Sequence, residues 1–209
     1  MEPRTRSFYV LSTFFALFIL FLYGPTITIG ILSFQGEGGG LTFPMRGVSL
    51  HWFYDLFEQQ AVGDIWGSFR RSFALGLMVM VVTVVVSVMG GLAFRRKFPG
   101  SNILFYLIIT SLVIPSILIS LGVGLLFSQS GLNVHWSTSG FGSQLTWTLP
   151  FGLLIMFAVF NRFDTSYEEA ARDLGATPWQ TLRHVVLPII APSLIGVALF
   201  GFTLSYDEF

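Results

Sequence analysis

Long apolar runs separated by short polar segments dominate the pattern of this chain. A helix needs about 20 apolar residues to cross a hydrocarbon layer of about 30 Å. Four stretches without Asp, Glu, Lys or Arg are long enough, and the longest, residues 98–161, divides at a polar segment near residues 128–144. The pattern therefore predicts an all-α, polytopic membrane protein with a single transmembrane domain over residues 1–209. Its five predicted spans are residues 8–34, 72–94, 101–127, 144–160 and 185–206.

The first two predicted spans carry further signals. A signal peptide is the alternative for residues 8–34, but its apolar region would have about 7–15 residues and end at a small-residue cleavage site. This run is longer and ends at Phe34-Gln35-Gly36, so we expect a retained helix. In the second span Thr83, Ser87 and Gly91 recur every four residues, which places small side chains on one face for close helix packing.

The distribution of charge predicts how the spans face. Positive residues near span ends resist translocation, so the side richer in Lys and Arg is cytoplasmic. With the N-terminus inside, the cytoplasmic side holds eight Lys or Arg and five Asp or Glu residues, a net charge of +3. The outer side then has three basic and six acidic residues, a net charge of −3. We expect a cytoplasmic N-terminus and a cytoplasmic loop over residues 161–184.

Composition supports the membrane class and excludes several functions. Hydrophobic residues make up 53% of the chain and charged residues 11%, with a mean hydropathy of +0.74, whereas soluble proteins carry about 25% charged residues. The formal net charge is zero, so a general basic field for nucleic acid has no support. The chain has no cysteine, which excludes disulfides, thiolate catalysis and cysteine-ligated metals.

Residues with catalytic chemistry are scattered. His51, His135 and His184 fall on both predicted sides of the membrane, so no metal cluster and no pair of base and nucleophile is evident. A phosphate-binding loop is also absent, because the chain has a single lysine, Lys97, and Phe98 follows it. We expect no catalytic residue and no metal site. A membrane-embedded enzyme or receptor is the most distant alternative.

The cytoplasmic loop has the pattern of two short helices. Ser166 with Glu169 predicts a capping box, in which the Ser hydroxyl and the Glu carboxylate each accept a hydrogen bond from a free backbone amide. Gly175 is suited to ending that helix in a left-handed conformation. A second helix is predicted to start at Thr177, with Pro178 in its first turn and Gln180 at its third position.

A motif in this loop resembles a known family. Glu169-Ala170-Ala171, then Gly175, then Val185 with Leu187-Pro188 resembles the EAA loop of binding-protein-dependent ABC transporter permeases, with Val185 in place of the usual Ile. The stretch 93–100 also resembles those permeases, and the stretch 204–209, like the general run of the sequence, is similar to their spermidine/putrescine branch. A capping role alone is the alternative for Glu169.

The resemblance implies a fold, partners and site residues. It implies a permease of the type I importer kind that pairs with a second permease, an ABC ATPase dimer and an extracytoplasmic solute-binding protein in the bacterial inner membrane. It implies no cofactor bound directly, since the partner ATPase uses the ATP. It also leads us to expect a sixth span, which the given sequence lacks. The implied ATPase-coupling residues are Glu169, Ala170, Ala171, Gly175, Val185, Leu187 and Pro188.

The transported solute is less defined by the sequence. Asp207 and Glu208 lie at the predicted outer end of the fifth span, where two carboxylates would attract a polyamine, a multiple cation. An ordinary solvated loop is an equal alternative for this pair. Ferric iron, a phosphonate or an opine are alternative solutes for the same kind of importer.

Overall fold

The structure is a computed structural model, and it describes residues 5–56 and 63–207. These residues form nine α-helices and two π-helical turns. The helices are α1 (Arg6–Leu32), α2 (His51–Asp55), α3 (Ile65–Phe94), α4 (Ser101–Ser111), α5 (Ser116–Gln129), α6 (Phe141–Asn161), α7 (Ser166–Asp173), α8 (Pro178–Thr181) and α9 (Leu187–Asp207). The π-helical turns, Trp136–Gly140 and Leu182–Val186, directly precede α6 and α9. The predicted all-α class is confirmed.

The chain divides into two compact units, Met1–Trp66 and Gly67–Phe209. In the first unit, the loop after α1 folds around the buried amide of Gln35. Its Nε2 donates to the carbonyl of Gly40 at 2.8 Å, and its Oε1 accepts from the backbone N–H of Arg46 at 2.8 Å. The indole of Trp52, in α2, donates to the carbonyl of Gln35 at 2.9 Å. One amide side chain therefore organises this glycine-rich loop.

In the second unit, small residues bring α3, α6 and α9 together. Thr83, Ser87 and Gly91 are all buried in α3, as their spacing predicts. The Thr83 hydroxyl lies 3.2 Å from that of Thr148 in α6, which forms a hydrogen bond between the two helices. A hydrophobic cluster also packs α6 against α9 and the π-helical turn before it. Its buried side chains are Met156, Phe160, Val186, Ile190 and Val197.

The stretch at residues 101–127, expected as one span, forms two helices. α4 and α5 meet at a bend of 104°. Pro115 is the physical reason, because it has no backbone N–H and it keeps the preceding residue, Ile114, out of the helical region. Within residues 5–56 and 63–207, four helical stretches are long and apolar enough to cross a membrane, and a fifth results if the bent pair counts as one span.

Two of the predicted helices begin earlier than their apolar runs. α3 starts at Ile65 rather than at residue 72, so Arg70 and Arg71 lie within its first turns. The helical stretch that contains α6 starts at Trp136 rather than at residue 144. Hydrogen bonding explains this second difference, because the polar side chains there bond to the backbone; Ser139 Oγ, for example, donates to the carbonyl of His135 at 3.0 Å.

The last helical stretch also begins early. It runs from Pro178 to Asp207 without interruption, although a span from residue 185 was expected. The second short loop helix is thus the first turn of the span rather than a separate element. Pro188 has no N–H to donate to the carbonyl four residues earlier, and the wider π-helical turn Leu182–Val186 lies directly before it.

Candidate functional site

The site is built on the segment Asp164–Thr181, which we call the elbow. Its first helix, α7, does not start with the predicted Ser166 capping box. Thr165 is the capping residue and makes no side-chain capping bond. Instead the Asp164 carboxylate accepts from the backbone N–H of Ser166 at 2.9 Å, and this hydrogen bond lowers the pKa of Asp164. Because the helix begins one residue earlier than predicted, the backbone N–H of Glu169 donates to the carbonyl of Thr165 at 3.1 Å, so the Ser166 hydroxyl has no free amide to cap.

Gly175 ends α7 as predicted. Its φ of +83° lies in the left-handed region, which glycine adopts without steric cost. The N–H of Gly175 donates to the carbonyl of Arg172 at 2.8 Å, and that of Ala176 donates to the carbonyl of Ala171 at 3.0 Å. This pair of bonds is the Schellman arrangement, which satisfies the last carbonyls of a helix. The reversal of the chain is therefore sharp and fully hydrogen-bonded.

The second half of the elbow is also as predicted. Thr177 Oγ1 accepts from the backbone N–H of Gln180 at 3.3 Å, and Gln180 Oε1 accepts from the N–H of Thr177 at 2.8 Å. Pro178 occupies the first helical position. These reciprocal bonds make a capping box, so the start of α8 is fixed locally.

The coupling residues predicted from the motif fall into two groups. Glu169, Ala170, Gly175 and Pro188 are exposed, and Ala171 is half-buried. Leu187 packs against the hydrophobic cluster, and Val185 is half-buried beside the buried Val186. The first group is available to a partner, whereas the Val185–Leu187 segment anchors the elbow to the bundle.

Two large apolar side chains on the elbow are strongly exposed. Leu174 is 89% exposed and Trp179 is 65% exposed. Both flank the Gly175 turn, on a segment that is otherwise rich in charge. The motif did not single out either residue, although large apolar residues near a helix-ending glycine in a polar loop could have indicated an interaction surface from the sequence.

A partly buried ion pair joins α7 to the end of α3. Arg95 Nη1 donates to Glu168 Oε1 at 2.6 Å, and Nη2 donates to Oε2 at 3.2 Å, a two-point contact. The exposed fractions of the two side chains are 19% and 12%. The guanidinium also lies over the rings of Phe160 and Phe163, at 5.6 and 5.4 Å from their centres. From sequence, Arg95 is only one of three basic residues at a span end, and its partner is 73 positions away.

A cavity of about 490 Å³ opens beside this pair. Its lining combines charged and apolar groups from the end of α3, the elbow and the π-helical turn before α9. Arg96, Glu169 and Arg172 supply charge, and Leu182 and Val186 supply apolar surface. The elbow is thus an exposed turn with an open, polar cavity behind it.

At the opposite end of α3 and α9, four rings form a closed group, which we call the aromatic quartet. Phe69 stacks with Phe73 at 6.2 Å between ring centres, Phe73 meets Phe202 edge-on at 5.6 Å, and Phe202 stacks with Tyr206 at 5.6 Å. Tyr206 returns to Phe69 at 6.2 Å. The exposed Asp207 follows directly, and the predicted Glu208 lies outside the described residues.

Within residues 5–56 and 63–207, no three His, Asp or Glu side chains lie together in a way that could hold a metal ion. His135 contacts Ser137, and His184 contacts the carbonyl of Gln180, each within its own helical start. The three histidines are not brought together.

Comparison with known proteins gives the family. The spermidine/putrescine transport system permease protein PotC of Haemophilus influenzae is 25% identical over 206 residues, which cover 96% of this chain and 76% of that protein. The putrescine transport system permease protein PotI of Escherichia coli is 27% identical over 195 residues, covering 90% and 68%.

A crystal structure of a bacterial ABC transporter involved in the import of the acidic polysaccharide alginate has the same fold. Its TM-score is 0.65 at 21% identity, covering 98% of this chain and 74% of that one. The family described as "binding-protein-dependent transport system inner membrane component" matches residues 84–209, more than half of the chain. That match includes the elbow, α6, α9 and the part of α3 that follows Thr83. The chain therefore belongs to the inner membrane components of binding-protein-dependent transport systems, and it is a multi-pass ABC permease subunit rather than an enzyme.

Proposed function

We propose that this permease subunit couples ATP hydrolysis to import through its elbow, which docks onto a separate ABC ATPase. The observation that carries the proposal is the exposure of Leu174 and Trp179 on a capped, charged turn. Exposed apolar groups of this size within a polar segment are typical of an interaction surface. Tryptophan in particular is enriched among residues that dominate binding energy. The exposed Glu169 beside them can pair with a basic group of the partner.

The rigidity of the elbow also supports docking. Its helix end and its helix start are both satisfied by local hydrogen bonds, so little conformational freedom is lost when a partner binds. The Val185–Leu187 segment, which packs into the bundle, ties the elbow to α9. Closure of an ATPase dimer would therefore move the elbow as a body and pull on the helix joined to it.

The docking proposal is tested by replacing Leu174 with Ser and measuring ATPase binding to the purified permease. We expect at least about a tenfold loss of affinity, because Leu174 is 89% exposed and full burial of a leucine side chain contributes about 1.5–3 kcal/mol. Leu132→Ser is the matched control, because Leu132 is 57% exposed but lies on the loop between α5 and the turn before α6. Equal ATPase affinity in both variants would refute docking at the elbow.

We further propose that the solute is a polyamine. The PotC and PotI relatives are named as polyamine permeases, and the aromatic quartet with Asp207 offers chemistry suited to an ammonium cation. Aromatic faces attract ammonium groups by about 0.5–2 kcal/mol, and the carboxylate adds a charge of opposite sign. The quartet lies in the part of the chain that the charge distribution places outside.

Uptake of labelled spermidine and putrescine by the complete transporter in liposomes tests the solute. Tyr206→Leu should raise the half-saturating concentration by about 2- to 30-fold, because the cation loses an aromatic face. Asp207→Asn should reduce uptake, and Asp207→Glu, which keeps the charge, should restore most of it. Uptake of neither amine by the unchanged transporter would eliminate the polyamine proposal and leave the docking proposal intact.

A further inference from the structure

The Arg95–Glu168 pair stands at a junction of three elements. Arg95 directly follows α3, Glu168 lies in the first turn of α7, and the two rings beneath the guanidinium, Phe160 and Phe163, lie at and just beyond the end of α6. The polypeptide already connects α7 to α6 on one side and to α9 on the other. The ion pair adds a non-covalent connection to α3, a helix that the chain does not join to the elbow.

The geometry is that of a directional contact. Two parallel N–H···O bonds fix the guanidinium and the carboxylate in one plane, and only arginine presents such a fork. The side chains are 19% and 12% exposed, so water screens their attraction less than it would at the surface. Arg172, one turn further along α7, is 3.9 Å from the same carboxylate, but it is 58% exposed and this contact lies within one helix.

The position of Glu168 separates it from the docking surface. Glu169, Leu174 and Trp179 are exposed and available to a partner, whereas Glu168 faces inward to α3. A displacement of α7 by a bound ATPase would therefore act directly on the Arg95–Glu168 ion pair. α3 in turn contacts α6 and α9 through Gly152, Thr83 and Ser87, where a methyl group added at Gly152 would overlap its neighbours. Contacts this close transmit displacement rather than absorb it.

We propose that Arg95 and Glu168 are positioning residues that transmit movement of the elbow to α3, so that α3 moves with α9 during transport. This inference rests on the proposed function, since it requires an ATPase docked at the elbow. It makes the pair part of the coupling between sites rather than part of the docking surface or of the solute pathway.

The test uses the complete transporter in liposomes and measures solute imported per ATP hydrolysed. Arg95→Gln and Glu168→Gln should each lower this ratio at least about fivefold, the lower end of typical coupling between sites, while ATPase binding stays unchanged. Arg95→Lys, which keeps the charge but loses the fork, should give an intermediate ratio. The exchange of both residues, Arg95→Glu with Glu168→Arg, should recover part of the ratio. Lys97→Gln is the matched control, because Lys97 is an exposed neighbour of equal charge outside the lining of the cavity, and it should leave the ratio unchanged.

Two results would overturn the proposal. One is an unchanged ratio in both Gln variants. The other is a loss of ATPase binding in both that the exchanged pair does not recover, since the contact would then serve assembly alone. If Glu168→Gln does not assemble, the ratio of solute imported to ATP hydrolysed is measured in Arg95→Lys, which retains the ion pair but loses the two-point contact. A ratio equal to that of the unchanged transporter would then overturn the proposal. Failure of the unchanged permease to bind an ATPase would instead refute docking at the elbow and is thereby distinguishable.

Discussion

At the scale of single residues, Gly175 controls the shape of the elbow through its backbone. Its φ of +83° costs any residue with a Cβ about 1–2 kcal/mol. An added Cβ would meet no atom within 4 Å, so the effect of a substitution there is conformational and not steric. Gly100, before α4, has a φ of +87° and equally open surroundings, which makes it a control of the same kind.

We expect Gly175→Ala and Gly100→Ala to lose similar stability, about 1–2 kcal/mol, because both place a Cβ in the left-handed region. Only Gly175→Ala should also weaken ATPase binding, since only that turn orients Leu174 and Trp179. Gly175→Asn should retain binding, because Asn tolerates this conformation. Unfolding in detergent and ATPase binding to purified permease measure the two effects. Equal binding by both Ala variants would show that the turn does not orient the docking surface.

At the scale of the elements, the contact of α3, α6 and α9 depends on glycine and other small residues. A Cβ added at Gly152 would overlap the Ser87 hydroxyl and would lie 2.9 Å from Thr83 Cγ2 and 3.2 Å from Val197 Cγ1. Small residues let helix backbones approach closely, which is the main source of helix association in membranes. The contact therefore has no room for a larger residue at Gly152.

Gly152→Ala should destabilise the bundle by about 1–3 kcal/mol, the usual cost of overpacking a filled core. Gly196→Ala is the control, because Gly196 lies inside α9 and an added Cβ there meets no atom within 4 Å. That variant should leave stability unchanged or raise it by up to about 1 kcal/mol through helix propensity. Thermal unfolding of the two purified variants measures the difference. A Gly152→Ala protein as stable as the Gly196→Ala protein would contradict this packing.

The elements also show which parts of the fold are readable from local sequence. The Schellman end at Gly175 and the capping box at Thr177 depend on residues within five positions, and both were predicted. The predicted Ser166 capping box was wrong, because the carboxylate of Asp164 accepts the hydrogen bond from the Ser166 backbone N–H that was expected to go to Glu169. The Arg95–Glu168 pair joins residues 73 positions apart, so no local rule predicts it. Pattern therefore locates helices and their ends, while contacts between distant elements need the three-dimensional structure.

At the scale of the whole molecule, the separation of charge makes a prediction about orientation. The chain contains no cysteine, so a single introduced cysteine reports the side of the membrane without further changes. Gly38 and Leu132 fall in loops predicted outside, and Pro99 and Asp173 fall in loops predicted inside. All four positions are exposed in the structure.

We expect a membrane-impermeant maleimide to label Gly38→Cys and Leu132→Cys in intact spheroplasts. Pro99→Cys and Asp173→Cys should react only after permeabilisation, because the net charge of +3 holds their side in the cytoplasm. The opposite pattern at all four positions would reverse the proposed orientation. Labelling of Leu132→Cys on the same side as Pro99→Cys would mean that α4 and α5 enter and leave on one side instead of crossing.

The right-angled joint between α4 and α5 has a mechanical consequence. α5 has 14 residues, so its far end lies about 21 Å from Pro115 at 1.5 Å per residue. A rotation of only about 10° at the joint displaces that end by about 4 Å, more than the width of a water molecule, without breaking any hydrogen bond inside either helix. Pro115 thus allows a small change of angle at the joint to become a much larger displacement at the far end of α5.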